Sequence, residues 1–173
     1  PGFTEEEIAN YIDSTGIFTN DRVIFLTFDD WGSDPTINSI LYVLDKYDVR
    51  ATFFVETENV YSNPNLLRAI AVAGHQVGSH TDGHLPLANT SATELYTYES
   101  LTEDQAWTLR NDIVKSYNTL YNIIGDVKVN GVYSLSKMFR PPTLAVSRIG
   151  MYQVFDVGYE YIVSGGFSTN DYA

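Results

Sequence analysis

The stretch "RVIFLTF" (residues 22–28) limits the possible architectures more than any other part of the chain. Its apolar character is continuous rather than alternating, so it reads as a strand covered on both faces, which a one-sided antiparallel sheet does not provide. "ATFFV" (51–55) repeats the pattern, and between the two Ile37, Ile40, Leu41 and Leu44 share one face of a helix over 35–47. Asn63-Pro64 supplies an N-cap and a proline at the first helical position for a second helix, "NLLRAIAVAG", which closes at Gly74. "QVGSH" follows as a short strand. After a polar loop over about 80–102, Thr102 and Gln105 have capping-box spacing. The helix they open carries Ala106, Leu109, Ile113, Tyr117, Leu120 and Ile124 at helical spacing and stops at Gly125. "MFRPP" and "EYIVSGG" read as further strand ends. Strands alternating with helices imply a parallel sheet or an α/β barrel.

Ahead of this repeat, "FTEEEIANYIDSTG" has Thr4 and Glu7 at capping-box spacing and Phe3 and Ile8 placed as a hydrophobic staple. The expected organisation is a leading helix within residues 1–20 and one α/β domain over 21–173. With 173 residues and a hydrophobic fraction of 44 %, the chain can supply the core of a single domain. A net charge of −12 without a basic cluster excludes nucleic acid as a partner, because binding it requires Lys and Arg gathered against phosphates. The absence of cysteine excludes disulfides, thiolate metal sites and cysteine nucleophiles. No apolar run reaches the length of a membrane span, and no signal-peptide pattern is seen. The chain opens on Pro1 rather than Met, as expected of a piece trimmed from a longer protein.

In parallel α/β architectures functional groups gather beyond the carboxyl ends of the strands. There the sequence places Asp29 and Asp30 after the first strand, His80, Asp82 and His84 after the third, Arg140 after the fourth and Asp171 after the fifth. His80 and His84 are four residues apart, but Gly83 and Pro86 favour a tight turn over a long helix. Such a pair also describes two solvated loop histidines; against that, all three histidines of the chain fall within ten positions. Two imidazoles with one carboxylate leave coordination positions open for water and substrate, as catalytic metal sites do. Either Asp29 or Asp30 can supply that carboxylate, and the other then stands beside the metal as a base. Adjacent residues in extended backbone point to opposite sides, which lets the pair divide the work. Arg140 is either a surface ion-pair partner or a clamp on one of the acids. His75 reads as structural near the Gly74 turn, and Asp104, Asp112 and Asp126 as solvated helix-surface or turn acids.

"TFDD", "ATFFV", "AGHQVGSHTDGH" and "FRPP", in that order and at these separations, resemble the polysaccharide deacetylases, the NodB-homology or carbohydrate esterase 4 family. The resemblance covers about residues 22–173. It implies a distorted (β/α) barrel, here without its C-terminal strands, and a metal-dependent hydrolase that removes N-acetyl groups from N-acetylglucosamine-containing polysaccharide such as peptidoglycan or a chitin-like chain. It further implies Asp29 as general base, Asp30, His80 and His84 as metal ligands and Arg140 as the residue holding the base. Backbone near Thr143, after Pro142, would bind the oxyanion. Asp171, in "STNDY", would orient a histidine general acid. Trp31 and Tyr172 stand where the family usually has glycine and tryptophan, and with Pro142 and Thr143 they are the expected substrate-binding positions.

The implied cofactor is a divalent metal, Zn²⁺ first, with Co²⁺, Ni²⁺ or Mn²⁺ also suited to two imidazoles and a carboxylate. The implied partner is an N-acetylated glycan, and the implied location extracellular or cell-wall associated. No histidine follows His84, so the general acid is expected beyond Ala173. Two other readings share these residues: a non-catalytic carbohydrate-binding module on the same scaffold, and an amidohydrolase of a small non-sugar amide.

Overall fold

A computed structural model of the chain describes residues 24–90 and 98–165. The expected leading helix, Asp171 and Tyr172 lie outside these residues. Five strands form a parallel sheet in the order β1 (Thr27–Asp29), β2 (Thr52–Val55), β3 (Gln76–Ser79), β8 (Leu135–Phe139), β9 (Tyr161–Ile162). Four helices connect or follow them: α1 (Asp34–Lys46), α2 (Pro64–Val72), α3 (Glu103–Ile124) and α4 (Arg148–Val157). Two small antiparallel pairs, β4 (Asn89–Thr90) with β5 (Tyr98–Glu99) and β6 (Lys128–Val129) with β7 (Val132–Tyr133), decorate the long connections. Among the described residues the sheet does not close on itself.

Alternation along the inner strands explains their continuous apolar character. Phe53, Val55 and Val77 pack into a layer with Ile37 and Leu44 of α1, Leu66, Leu67 and Ile70 of α2 and Leu120 and Ile124 of α3. Phe54, fully buried, points to the opposite face, where Gly78 of β3 leaves room for its ring. A second cluster joins Leu109 and Ile113 of α3 to Phe139 of β8, Val154 of α4 and Leu87. The 22-residue α3 therefore spans both clusters and ties the two ends of the sheet together.

The capping box that opens α3 forms in both directions: Gln105 N–H donates to Thr102 Oγ1, and Thr102 N–H to Gln105 Oε1 at 2.9 Å. Pro64 stands at the start of α2 as expected, but Asn63 does not cap it through its side chain. Its Nδ2 donates instead to Asp34 Oδ2 at 2.7 Å, joining the starts of two helices. The first strand is shorter than "RVIFLTF" suggests. Among the described residues, pairing with β2 runs from Thr27 to Asp29, β1 lies at an edge of the sheet, and Ile24 and Phe25 are each 89 % exposed; Arg22 and Val23 lie outside the described residues. Helix α4 escaped the sequence reading although its signals are present: Ser147 caps the Gly150 N–H, and Gly158 ends the helix in the left-handed conformation.

Candidate active site

The parallel register sets the site. β1, β2 and β3 end side by side, with Asp29 level with Phe54 and Val55 level with Ser79, so the residues just beyond these strands converge at one end of the sheet. Asp30, His80 and His84 meet there, their ligand atoms all within 4.8 Å of one another. His80 Nε2 and His84 Nε2 lie 3.5 and 3.4 Å from the same oxygen, Asp30 Oδ1. These separations exceed a good hydrogen bond. They match a shared ion, since ligand atoms about 2.0–2.2 Å from a tetrahedral metal stand about 3.3–3.6 Å apart.

The protonation pattern fits as well. His80 Nδ1 lies 2.7 Å from the Arg140 carbonyl oxygen, which accepts the proton there and leaves the Nε2 lone pair free for a cation. Burial holds the His80 pKa below the usual value, outweighing the Arg140 carbonyl and the two aspartates that favour its cation. That direction favours the neutral ring that ligation requires. No helix carries the two histidines. They sit on a tight loop in which Thr81 (φ 68°) and His84 (φ 54°) both take the left-handed conformation.

Asp29 faces a different partner. Arg140 Nη1 donates to both of its carboxylate oxygens at 3.2 Å, and Nη2 reaches Thr27 Oγ1 at 3.4 Å. The guanidinium is buried and lies over the Phe54 ring, 4.5 Å from its centre. Arg140 is thus no surface ion-pair residue but a clamp fixed from below.

The divergence of the two acids does not come from extended backbone. Asp30 has φ 73°, and this left-handed turn swings its side chain toward the histidines while Asp29 stays with Arg140. Aspartate tolerates that region better than most residues, although the conformation still costs roughly 1–2 kcal/mol. Gly32 makes no comparable demand: a Cβ there would meet only ordinary contacts.

Of the expected substrate-binding positions, Trp31 is half-buried and packs against the core beside α1. Pro142 is buried, and Thr143 is exposed at φ 56° on the short turn after Arg140. His75 is structural, its Nδ1 accepting the Ala51 N–H. Asp126 pairs bidentately with Arg68 on the surface. Asp112 departs from its expected role as a solvated acid: its carboxylate accepts the backbone N–H groups of Asp82 and Gly83, inside the histidine loop. The sequence reading also passed over Glu56, the first residue after β2. Burial raises its pKa, with His84 opposing the rise and Asp30 adding to it.

The polysaccharide deacetylase family model matches residues 17–162. This chain belongs to the polysaccharide deacetylase family. Its α/β fold is the family's NodB-homology type, and solved structures bear this out. The Bc1960 peptidoglycan N-acetylglucosamine deacetylase superimposes with a TM-score of 0.63 at 28% identity, over 83% of this chain and 56% of that one. A peptidoglycan-N-acetylglucosamine deacetylase of Bacillus cereus is 40% identical over 77 residues, 44% of this chain and 36% of the relative. A chitooligosaccharide deacetylase of Rhizobium leguminosarum bv. trifolii is 44% identical over 66 residues, 38% of this chain and 31% of the relative. The chain thus matches only part of the length of each of these proteins.

Proposed function

We propose that this polysaccharide deacetylase domain hydrolyses the N-acetyl groups of an N-acetylglucosamine-containing polysaccharide, peptidoglycan or a chitin-like glycan, with a divalent metal held by Asp30, His80 and His84. The observation that carries the reading is the sharing of Asp30 Oδ1 between two histidine Nε2 atoms at metal-ligand separation, next to a separate Asp29–Arg140 pair. Two imidazoles and a carboxylate suit Zn²⁺ first, and Co²⁺, Ni²⁺ or Mn²⁺ after it. A divalent cation bound there supplies Lewis acidity, lowering the pKa of water to about 7 and polarising an acyl carbonyl.

Asp29 takes the proton of the attacking water, a contribution typically worth about 10²–10⁴-fold. Arg140 aims that carboxylate, donating to both of its oxygens. Backbone on the turn at Thr143 completes the cradle for the oxyanion, with Trp31, Pro142 and Tyr172 shaping the sugar-binding surface. The amide C–N bond then breaks and acetate departs, the amino-sugar nitrogen taking its proton from a histidine general acid that Asp171 would orient.

A polymer suits the site better than a small enclosed amide does. The side chains of Asp30 and His84 are 58 % and 41 % exposed, so the ligand set opens directly to solvent where a long chain can lie across it. A cell-wall or extracellular glycan follows as the working environment.

The test is acetate release from N-acetylated chitooligosaccharides and peptidoglycan fragments. Chelation is expected to abolish it and added Zn²⁺ to restore it. Asp29→Asn is expected to lower kcat by about 10²–10⁴-fold. Metal-dependent turnover that survives Asp29→Asn would remove Asp29 from the role of base.

A further inference from the structure

The histidine loop rests on acids that the proposed chemistry does not use. Asp112 projects from α3 and accepts two backbone N–H groups of the loop, Asp82 N–H to Oδ1 at 2.7 Å and Gly83 N–H to Oδ2 at 2.9 Å. The fit is close, since a Cβ added to Gly83 would stand 3.3 Å from Asp112 Oδ2. Asp82 is itself buried, and its two oxygens are both taken: Thr57 Oγ1 donates to Oδ1 at 2.8 Å and Lys115 Nζ to Oδ2 at 2.5 Å. Backbone bonds from Thr57 N–H to the Thr81 oxygen and from Glu58 N–H to the Asp82 oxygen hold the loop from the β2 side. Thr81 adds its own brace, its Oγ1 accepting the Leu85 N–H at 3.0 Å.

This support exceeds what a surface turn needs, and the loop's backbone shows why it is there. Thr81, a β-branched residue, and His84 both hold left-handed φ values, a region that side chains with a Cβ occupy only at an energetic cost. Released from its anchors, the segment would relax toward ordinary backbone and carry the two imidazoles apart. Asp112 and Lys115 are one helical turn apart on α3, so one rigid helix grips the loop at its backbone and at its Asp82 side chain.

We propose that Asp112 is a positioning residue for metal binding: by taking the Asp82 and Gly83 amides it pre-sets the strained loop in which His80 and His84 converge on one ion, with the Lys115–Asp82–Thr57 chain as its auxiliary. This rests on the reading of Asp30, His80 and His84 as metal ligands. Asp112 touches neither metal nor substrate in this role. Its effect is on the free energy of bringing the two histidines into place.

The experiment is a Zn²⁺ affinity measurement by competition with a chromophoric chelator on the full chain, alongside circular dichroism and thermal unfolding. Asp112→Ala is expected to stay folded and to weaken Zn²⁺ binding about 10–100-fold, the usual cost of losing an outer partner of a metal site. Asp112→Asn is expected to weaken it less, since an amide oxygen still accepts one of the two N–H groups. Lys115→Met is expected to give the smallest loss. Asp104→Ala, which removes an exposed charge from the first turn of the same helix, controls for general electrostatics and is expected to change nothing. Folded Asp112→Ala or Asp112→Asn protein with wild-type Zn²⁺ affinity would overturn the proposal. So would failure of both variants to fold, which would make Asp112 a scaffold residue only. Wild-type protein that binds no Zn²⁺ would instead overturn the metal reading beneath it.

Discussion

His80 leaves the third of five strands, with β2 on one side and β8 on the other, whereas Asp29 and Asp30 leave β1 at the edge of the sheet. The difference runs through every level of the site. His80, Thr81 and Asp82 are all buried, and side chains from α3 and the segment after β2 brace them. Asp30 is mostly exposed, and the residues leading into β1, Ile24 and Phe25, are almost fully so. What holds the acid half is chiefly one long reach, from Arg140 at the end of β8 across the sheet to Asp29. In the metal site proposed here, one half is set by the fold and the other would be completed by the ion.

The largest effect on stability is expected at the centre. Gly78 precedes Ser79 and His80 on β3, and a Cβ there would stand 2.6 Å from the Met138 carbonyl oxygen and 2.8 Å from the Phe54 ring. Gly78→Ala should therefore cost about 1–3 kcal/mol in denaturant unfolding. A smaller effect should appear with pH. His75, at the start of β3, is buried with Nδ1 accepting the Ala51 N–H, and burial lowers its pKa, with Arg50 adding to the shift. A folded-state pKa below the unfolded value means that His75 contributes fully above about pH 6.5, and that this contribution is lost as the pH falls through the folded pKa. Stability measured by unfolding should start to fall below about pH 6.5, with a slope from this group no steeper than about 1.4 kcal/mol per pH unit. His75→Gln should make that slope shallower. The smallest effect belongs to the edge: Phe25→Ser should alter stability by no more than about 0.5 kcal/mol. A Phe25→Ser loss as large as that of Gly78→Ala would erase the contrast between the halves.

Much of this contrast was legible in residues that act locally. The capping box at Thr102 and Gln105, the proline opening α2 and the doubly buried "ATFFV" are short-range signals, and the structure bears them out. Asp30, His80 and His84 could be picked out as candidate ligands because they stand at strand exits in a family order. What the sequence hid depends on contacts across the chain. Nothing local marks β1 as an edge strand, so "RVIFLTF" looked like a strand of uniform burial. Nothing local separates Asp112 from the solvated acids of a helix; its partners lie 29 and 30 positions away. The splitting of Asp29 from Asp30 was anticipated, but its cause was not, because a left-handed φ at an aspartate leaves no trace in composition or spacing.

The central claim is that adjacent acids do different work, Asp30 for the metal and Asp29 for the proton. Calorimetric titration of Zn²⁺ into the wild-type chain, Asp29→Asn and Asp30→Asn tests it most directly. The account predicts one ion bound by the wild type, near-wild-type affinity in Asp29→Asn, and a loss in Asp30→Asn greater than the about 10–100-fold cost of an outer partner. Equal losses in the two variants, or Zn²⁺ retained by Asp30→Asn and lost by Asp29→Asn, would contradict it.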